Sequence, residues 1–256
     1  MKPEFEYKEV DQKGLEVLDV IAAADRFNQW MYRTIAPFCT GEILEIGSGV
    51  GNISQFFIRN NQSIVLSDIR LNYRTILKEK FGLEDQKVLE IDIVHPNFGQ
   101  TYPGLLGKFD SIFCLNVVEH IKDDELAIEN MGKLLKPGGI LTVLVPAHQA
   151  LYNGFDVTLE HFRRYNKKSL TALMSKHGRL VDAFYFNAMG IPAWFISGRL
   201  FKNKSIPEGE MKLFNHLVPI FALIDKMTFR KIGLSVICVV EKMPLCAFGF
   251  QKKARV

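Results

Sequence analysis

The chain has 256 residues, enough for one α/β domain with a modest elaboration and too few for two such domains side by side. Apolar residues make up 48% and charged residues 23%, so a full core can be buried and global disorder is excluded. The net charge of +4 arises from 32 basic and 28 acidic residues scattered along the chain, without the concentrated basic face of a nucleic-acid binder.

The opening residues MKPEFEYKEVDQKG are charged and lack the apolar centre of a secretion signal. No stretch reaches the roughly 18 apolar residues that span a bilayer. Cys39, Cys114, Cys238 and Cys246 show no zinc spacing, and three of them sit in apolar runs, which fits a reducing, cytoplasmic setting. Residues 15–38 carry Leu18, Ile21, Ala22, Phe27, Trp30, Tyr32 and Ile35 at helical spacing until Pro37 stops the run, giving an N-terminal helical cap over residues 1–40.

From residue 41 onward, short apolar runs alternate with polar helical stretches, the pattern of a parallel sheet covered on both faces. Strands are predicted at 42–46, 63–67, 87–91, 110–115 and 140–145, with helices at 51–60, 71–81 and 123–135, the last ended by Pro137-Gly138-Gly139. A helix at 167–177 follows, with Asn166 as N-cap and Gly178 as stop, then a strand at 179–186. An aromatic-rich insertion at about 187–232 precedes a seventh strand at 233–241. The expected fold class is therefore α/β, a Rossmann-like doubly wound sheet within residues 41–256.

Gly47-Ser48-Gly49-Val50-Gly51 between a strand and a helix is a turn whose missing side chains let a ligand approach the backbone. The dinucleotide fingerprint G-x-G-x-x-G is not met, because Asn52 stands where its third glycine belongs. Asp68 ends the second strand, placed to accept hydrogen bonds from ribose hydroxyls, and Asp92 ends the third. In an open α/β sheet these ends share one edge, so the turn and both acids should meet in one crevice.

ILEIGSGVGN, followed by Asp68 and Asp92, closely resembles the first motifs of class I S-adenosylmethionine-dependent methyltransferases, over roughly residues 26–185. The resemblance implies S-adenosylmethionine as cofactor and a seven-stranded sheet with its last strand antiparallel. It implies a cofactor site drawn from Glu45, Gly47, Gly49, Gly51, Asn52, Asp68, Ile69, Asp92, Ile93, Asn116 and Val117. FDSIFCLNVVEHIKDD is similar to the fourth-strand motif, which puts Glu119-His120 at the start of the following turn. A narrower likeness, carried by RFNQWMYRTIAPF, EHFRRY, NAMGIPAW, ISGRLF and IGLSVICVVEK, is to bacterial methyltransferases associated with glycosyltransferases. Glu160 replaces the small residue that usually precedes the histidine there.

Methyl transfer from a sulfonium is an in-line displacement that needs alignment, exclusion of water and, for a hydroxyl, removal of a proton. No metal is expected, since no clustered His, Asp and Glu spacing is visible. His161 is the leading candidate for orienting or deprotonating the acceptor, with His120 the alternative. Each has a purely structural reading, as a loop-shaping and a helix-anchoring residue respectively. Arg163, Arg164 and Tyr165 are candidate substrate contacts, though adjacent arginines point apart and one could pair with Glu160. Asn28, Trp30 and Tyr32 are candidates for a lid, with ordinary helix packing as the rival. The stripe Leu213 to Phe229 suits a membrane surface, the protein's own core or a dimer contact.

The expected partner is a small-molecule or saccharide acceptor, possibly carrier-linked, methylated at oxygen in preference to nitrogen or carbon, and not nucleic acid. Rival readings are a protein methyltransferase, a non-catalytic nucleoside-binding regulatory module, and an NAD-dependent oxidoreductase, the last disfavoured by the glycine spacing.

Overall fold

The structure is a computed structural model that describes residues 12–197 and 207–243. Cys246, the tail Lys252, Lys253 and Arg255, and part of ISGRLF lie outside the described residues, as do residues 1–11 of the expected cap.

Two helices, α1 (Gln12–Ala22) and α2 (Asp25–Ile35), precede the sheet, and Ala36–Phe38 closes α2 as a 3-10 turn where Pro37 ends the run. Then follow β1 (Ile43–Ile46), α3 (Ser54–Arg59), β2 (Ile64–Ser67), α4 (Leu71–Phe81), β3 (Val88–Leu89), α5 (Phe98–Thr101), β4 (Phe109–Leu115), α6 (Asp124–Leu134) and β5 (Leu135–Pro146). The chain continues through α7 (Gly154–Thr158), α8 (Lys167–Met174), β6 (Arg179–Phe186), α9 (Gly190–Phe195), α10 (Glu208–Met227) and β7 (Ser235–Glu241).

The seven strands form one sheet in the order β3-β2-β1-β4-β5-β7-β6. All pairs are parallel except those of β7, which runs antiparallel between β5 and β6. The fold class read from the sequence is thus the one observed. β1 and β2 are buried along their whole length because helices cover both faces. Alternate residues feed two cores, Leu44, Ile112 and Val143 on one face and Ile43, Phe113 and Leu144 on the other.

Helix ends carry their own signals. Asp123 caps α6 by accepting from the Leu126 amide at 3.1 Å, with Asp124 and Glu125 in the first turn and Lys133 in the last, matching the helix dipole. Asn166 caps α8 in a reciprocal pair with Ser169. α8 ends at Met174, short of the predicted 177, through hydrogen-bonded turns at Ser175 and His177.

Some boundaries differ from expectation for local reasons. The third strand, expected at 87–91, is only Val88–Leu89, since β2 offers partners as far as Ser67 and the chain then leaves the sheet edge toward Asp92. The first crossover helix starts at Ser54, not 51, because residues 51–53 belong to the glycine turn. Pro137-Gly138-Gly139 does not separate α6 from the fifth strand. It forms an irregularity inside β5, between the pairs Phe109–Leu135 and Ser111–Ile140, with Gly138 at φ +77° donating its amide to the Lys242 carbonyl. The insertion at 187–232 contains α9 and α10, and α10 packs on α2 through Phe27 and Phe214, whose rings meet edge-on at 5.8 Å.

Candidate functional site

The strand order reverses between β1 and β4, so the crevice beyond their carboxyl ends is where an open α/β sheet takes a ligand. A cavity of about 1550 Å³ opens there. Pockets for drug-sized molecules run to roughly 300–1,000 Å³, so this one has room for a nucleoside and a second molecule beside it. Its roof comes from α1, α2, α9 and α10, through Leu18, Asn28, Trp194 and Phe214 among others.

The glycine turn forms one wall. Gly47, at φ +72°, could carry no side chain, because a Cβ there would strike Val117. Gly51, at φ +78°, lies away from the cavity, and a Cβ there would strike the Phe81 ring. The space a side chain would take there is filled by Phe81 and Leu77 of α4. The turn is fixed by Ser48, whose amide donates to the Ser67 carbonyl at 2.8 Å, and by Lys80, whose Nζ donates to the Val50 carbonyl at 2.7 Å.

Asp68 is buried at the end of β2, its Oδ2 accepting from the Gly49 amide and its Oδ1 from the Arg70 amide, both at 3.0 Å. Burial raises its pKa, and those two amides with Arg70 and Arg74 offset part of the rise. Each carboxylate oxygen retains lone-pair capacity for a ligand hydroxyl. Glu45 is buried beneath the turn, bonded to the Ser54 hydroxyl, and burial pushes it up to about 7. Asn52 donates to the Leu18 carbonyl at 3.0 Å, pinning α1 to the turn, while its buried Oδ1 has no hydrogen-bond partner among the described residues. Ile69, Asp92, Ile93, Asn116 and Val117 also line the cavity. Asn116 holds φ +53°, a left-handed conformation that asparagine tolerates better than most residues.

At the other end, Glu119, His120 and His161 converge. Phe162 donates its amide to the Glu119 carbonyl at 2.8 Å, tying the loop after β5 to the turn after β4. The His120 and His161 rings meet edge-on with centroids 4.7 Å apart. His161 Nδ1 bonds Asp156 Oδ1 at 2.9 Å, and the same oxygen accepts from Arg164 Nε at 2.7 Å. Burial alone would raise Asp156, but the His161 and Arg164 hydrogen bonds, the Arg164 charge and the Asn153 amide outweigh it, so its pKa falls. Asp156 is therefore a carboxylate that holds Nδ1 protonated, leaving Nε2 as the free ring nitrogen of His161.

His120 lines the cavity and is exposed there. The protein around the ring, then His161 and Arg70, lower its pKa from the ordinary imidazole value, opposed by hydrogen bonds to the Leu159 and Glu160 backbone. Water in the open cavity weakens that effect, which is fullest when a ligand has displaced it. Glu119 is 0% exposed. Apart from its own backbone amide, no described group hydrogen-bonds either carboxylate oxygen. Burial pushes it up to about 8, only partly offset by that amide and Arg164. One ligand atom from each of Glu119, His120 and His161 lies within 4.8 Å of the others. The expectation that no such cluster exists is overturned. The fold joins residues 41 positions apart, which spacing along the chain cannot display.

Four expected substrate contacts stand elsewhere. Arg163 pairs with Asp124 at 2.7 Å and donates to the Lys122 carbonyl at 2.8 Å. Tyr165 is buried with its hydroxyl on Asp124 at 2.6 Å. Trp30 packs on Phe186 with centroids 4.4 Å apart, and Tyr32 stacks on Phe56 and bonds Gln62. Arg164 touches the cavity, but its guanidinium is engaged by Asp156 and the Ala147 carbonyl and stacks over Trp194 at 4.7 Å. Neither arginine pairs with Glu160 in these contacts. Glu160 instead sits at φ +60°, where a small residue is easier to accommodate, at a cost of about 1–2 kcal/mol.

Residues 44–141 match the family described as a methyltransferase domain. A ubiquinone biosynthesis O-methyltransferase of Bartonella bacilliformis is 29% identical over 110 residues, covering 43% of this chain and 43% of that protein. The chain spans between 30% and 43% of the length of the first curated relatives it matches. A SAM-dependent methyltransferase from Archaeoglobus fulgidus superposes with a TM-score of 0.59 at 15% identity, covering 91% of this chain and 100% of that one. A phosphoethanolamine N-methyltransferase of Haemonchus contortus, in complex with phosphomonomethylethanolamine and S-adenosylhomocysteine, superposes with a TM-score of 0.56 at 15% identity, covering 92% and 61%. The fold is the Rossmann-like methyltransferase fold, and the cofactor it supports is S-adenosylmethionine. The residues present fit that group, with a glycine wall where Cβ atoms are excluded, a buried carboxylate at Asp68 and an unpartnered amide oxygen at Asn52.

Proposed function

We propose that this protein transfers a methyl group from S-adenosylmethionine to a hydroxyl of a small-molecule or saccharide acceptor. The observation that carries this reading is one cavity lined at a nucleoside-sized end by the glycine turn and Asp68 and, elsewhere, by a polar cluster of Glu119, His120 and His161, of which Glu119 and His161 are buried. The cofactor, when bound, supplies an electrophilic methyl group on a sulfonium. Gly47, Gly49 and Asn52 receive its amino-acid portion, Asp68 accepts from the ribose hydroxyls, and Asp92 with Ile93 and Asn116 borders the base. His161, its Nδ1 held by Asp156, directs Nε2 at the acceptor hydroxyl and orients it for in-line attack. α1, α2, α9 and α10 exclude water from the reacting atoms.

Residues 1–40 serve as a cap in this reading and 41–256 as the methyltransferase domain. The likeness to glycosyltransferase-associated enzymes favours a saccharide, carried on a lipid or free. α10 buries Met211 and Phe221 while Leu213, Ile220, Leu223 and Met227 face solvent, an apolar surface suited to a lipid carrier. No helix among the described residues is long and apolar enough to cross a membrane. Unpaired cysteine spacing favours residence in the cytoplasm.

The test is incubation with methyl-labelled S-adenosylmethionine and a panel of sugar, phenol, amine and peptide acceptors. Label should enter a hydroxyl acceptor with release of S-adenosylhomocysteine. Transfer confined to peptides or amines would replace the proposed acceptor class.

A further inference from the structure

We infer that Glu119, His120 and His161 bind one divalent first-row transition-metal ion at the acceptor end of the cavity. Glu119 carries the argument furthest. A fully buried carboxylate whose oxygens no other described residue satisfies lacks a partner among them, and a cation supplies one. Two imidazoles stand beside it, with one ligand atom from each of the three residues inside a 4.8 Å span. Bonds of about 2.0–2.2 Å in a tetrahedral site place ligand atoms roughly 3.4 Å apart, so atoms at the limit of that span close by roughly 1.4 Å when the ion binds.

His161 is already oriented as a ligand. Its Nδ1 is engaged by Asp156 at 2.9 Å, and Asp156 is anchored by Arg164 and by the Asn153 amide. A carboxylate behind an imidazole fixes the tautomer that offers Nε2 to a metal and strengthens it as a donor. Arg164, whose charge acts on Glu119, has its guanidinium engaged by Asp156 and the Ala147 carbonyl. Two nitrogen donors and one oxygen donor suit Zn²⁺, Mn²⁺ or Fe²⁺ better than Mg²⁺ or Ca²⁺, which prefer oxygen throughout.

Three protein ligands leave coordination positions open toward the cavity. An acceptor hydroxyl bound there becomes more acidic. Its proton passes to water, an oxygen lone pair forms the new O–C bond, and the S–C bond breaks with its electron pair staying on sulfur. This role rests on the methyl-transfer reading and favours oxygen acceptors over carbon; with the ion bound, His161 Nε2 ligates it, and His161 acts on the hydroxyl through the ion instead of by direct contact. The metal site itself does not depend on that reading.

The test uses untagged full-length protein stripped with a chelator and titrated with Co²⁺, read by its visible ligand-field absorption and by Zn²⁺ competition. S-adenosylhomocysteine binding is measured separately. One equivalent of Co²⁺ should bind and be displaced by Zn²⁺, with affinity at least tenfold weaker in Glu119→Gln and in His120→Asn. Both variants should retain S-adenosylhomocysteine binding, which reports an intact fold. Absence of saturable binding in the wild type, or equal affinity in a folded variant, overturns the site. Metal binding without S-adenosylhomocysteine binding would leave the site standing and remove the methyl-transfer reading instead.

Discussion

Replacing Glu119 with Gln should make the metal-free protein more stable at alkaline pH, and the size of the gain follows from burial. The Glu119 carboxyl is raised from 4.5 to about 8. The folded state therefore holds a proton that the unfolded chain has released, and stability falls as pH rises from 4.5 to about 8, then levels off. At about 1.4 kcal/mol per pH unit, the loss reaches about 5 kcal/mol as an upper limit, of which about 3 kcal/mol accrues between pH 6 and pH 8. Gln has nearly the same shape and does not titrate. Glu45, raised to about 7 by the same cause, gives both proteins a common background slope, so the difference between them isolates Glu119. Urea unfolding of both proteins at pH 6 and pH 8, with chelator present, should show Glu119→Gln gaining on the wild type by about 2–3 kcal/mol between the two pH values. The same difference at both pH values would refute the picture of an unpartnered buried carboxyl.

Asp156→Asn should cost about 3–5 kcal/mol in denaturant unfolding, because it strips the counter-charge from Arg164, which is 6% exposed; a loss below about 1 kcal/mol would mean the pair is not coupled. Asp156 has a lowered folded pKa, so its contribution is complete above the ordinary aspartate value and disappears as pH falls through the lowered one, a slope the variant should lack. Gly51→Ala should destabilise by about 2–4 kcal/mol, from overpacking against Phe81 and from its positive φ, seen as a lowered denaturation midpoint. Asp68→Ala should weaken S-adenosylhomocysteine binding by about 1–3 kcal/mol in calorimetry, as hydroxyls lose a buried acceptor.

The sheet was legible because its signals are local. Each strand is a short apolar run, and Asn166 marks a helix start by its own chemistry. The glycine turn, Asp68 and Asp92 were legible because open α/β sheets gather strand ends at one edge. The packing of Gly51 against Phe81 and Leu77 of the next helix was not legible in the same way, because it joins separate elements.

What the sequence hid is non-local. Glu119 and His161 are brought together by a backbone hydrogen bond between Phe162 and Glu119, and nothing along the chain announces it. Asp156 escaped notice although Asn153 and Asp156 form a reciprocal cap that marks α7 and places the carboxylate under His161. Arg163 and Tyr165 looked like substrate contacts, but both are drawn to Asp124 on α6. The roof from α9 and α10 lies in an insertion whose helical period is blurred by Pro219 and by apolar residues on both faces.

We expect the crevice to hold a sulfonium nucleoside and not a dinucleotide. Calorimetric titration of the purified chain with S-adenosylhomocysteine and, separately, with NAD tests it most directly. S-adenosylhomocysteine should bind saturably and one-to-one, more weakly in Asp68→Ala, and NAD should give no heat. Binding of NAD with none of S-adenosylhomocysteine would contradict it.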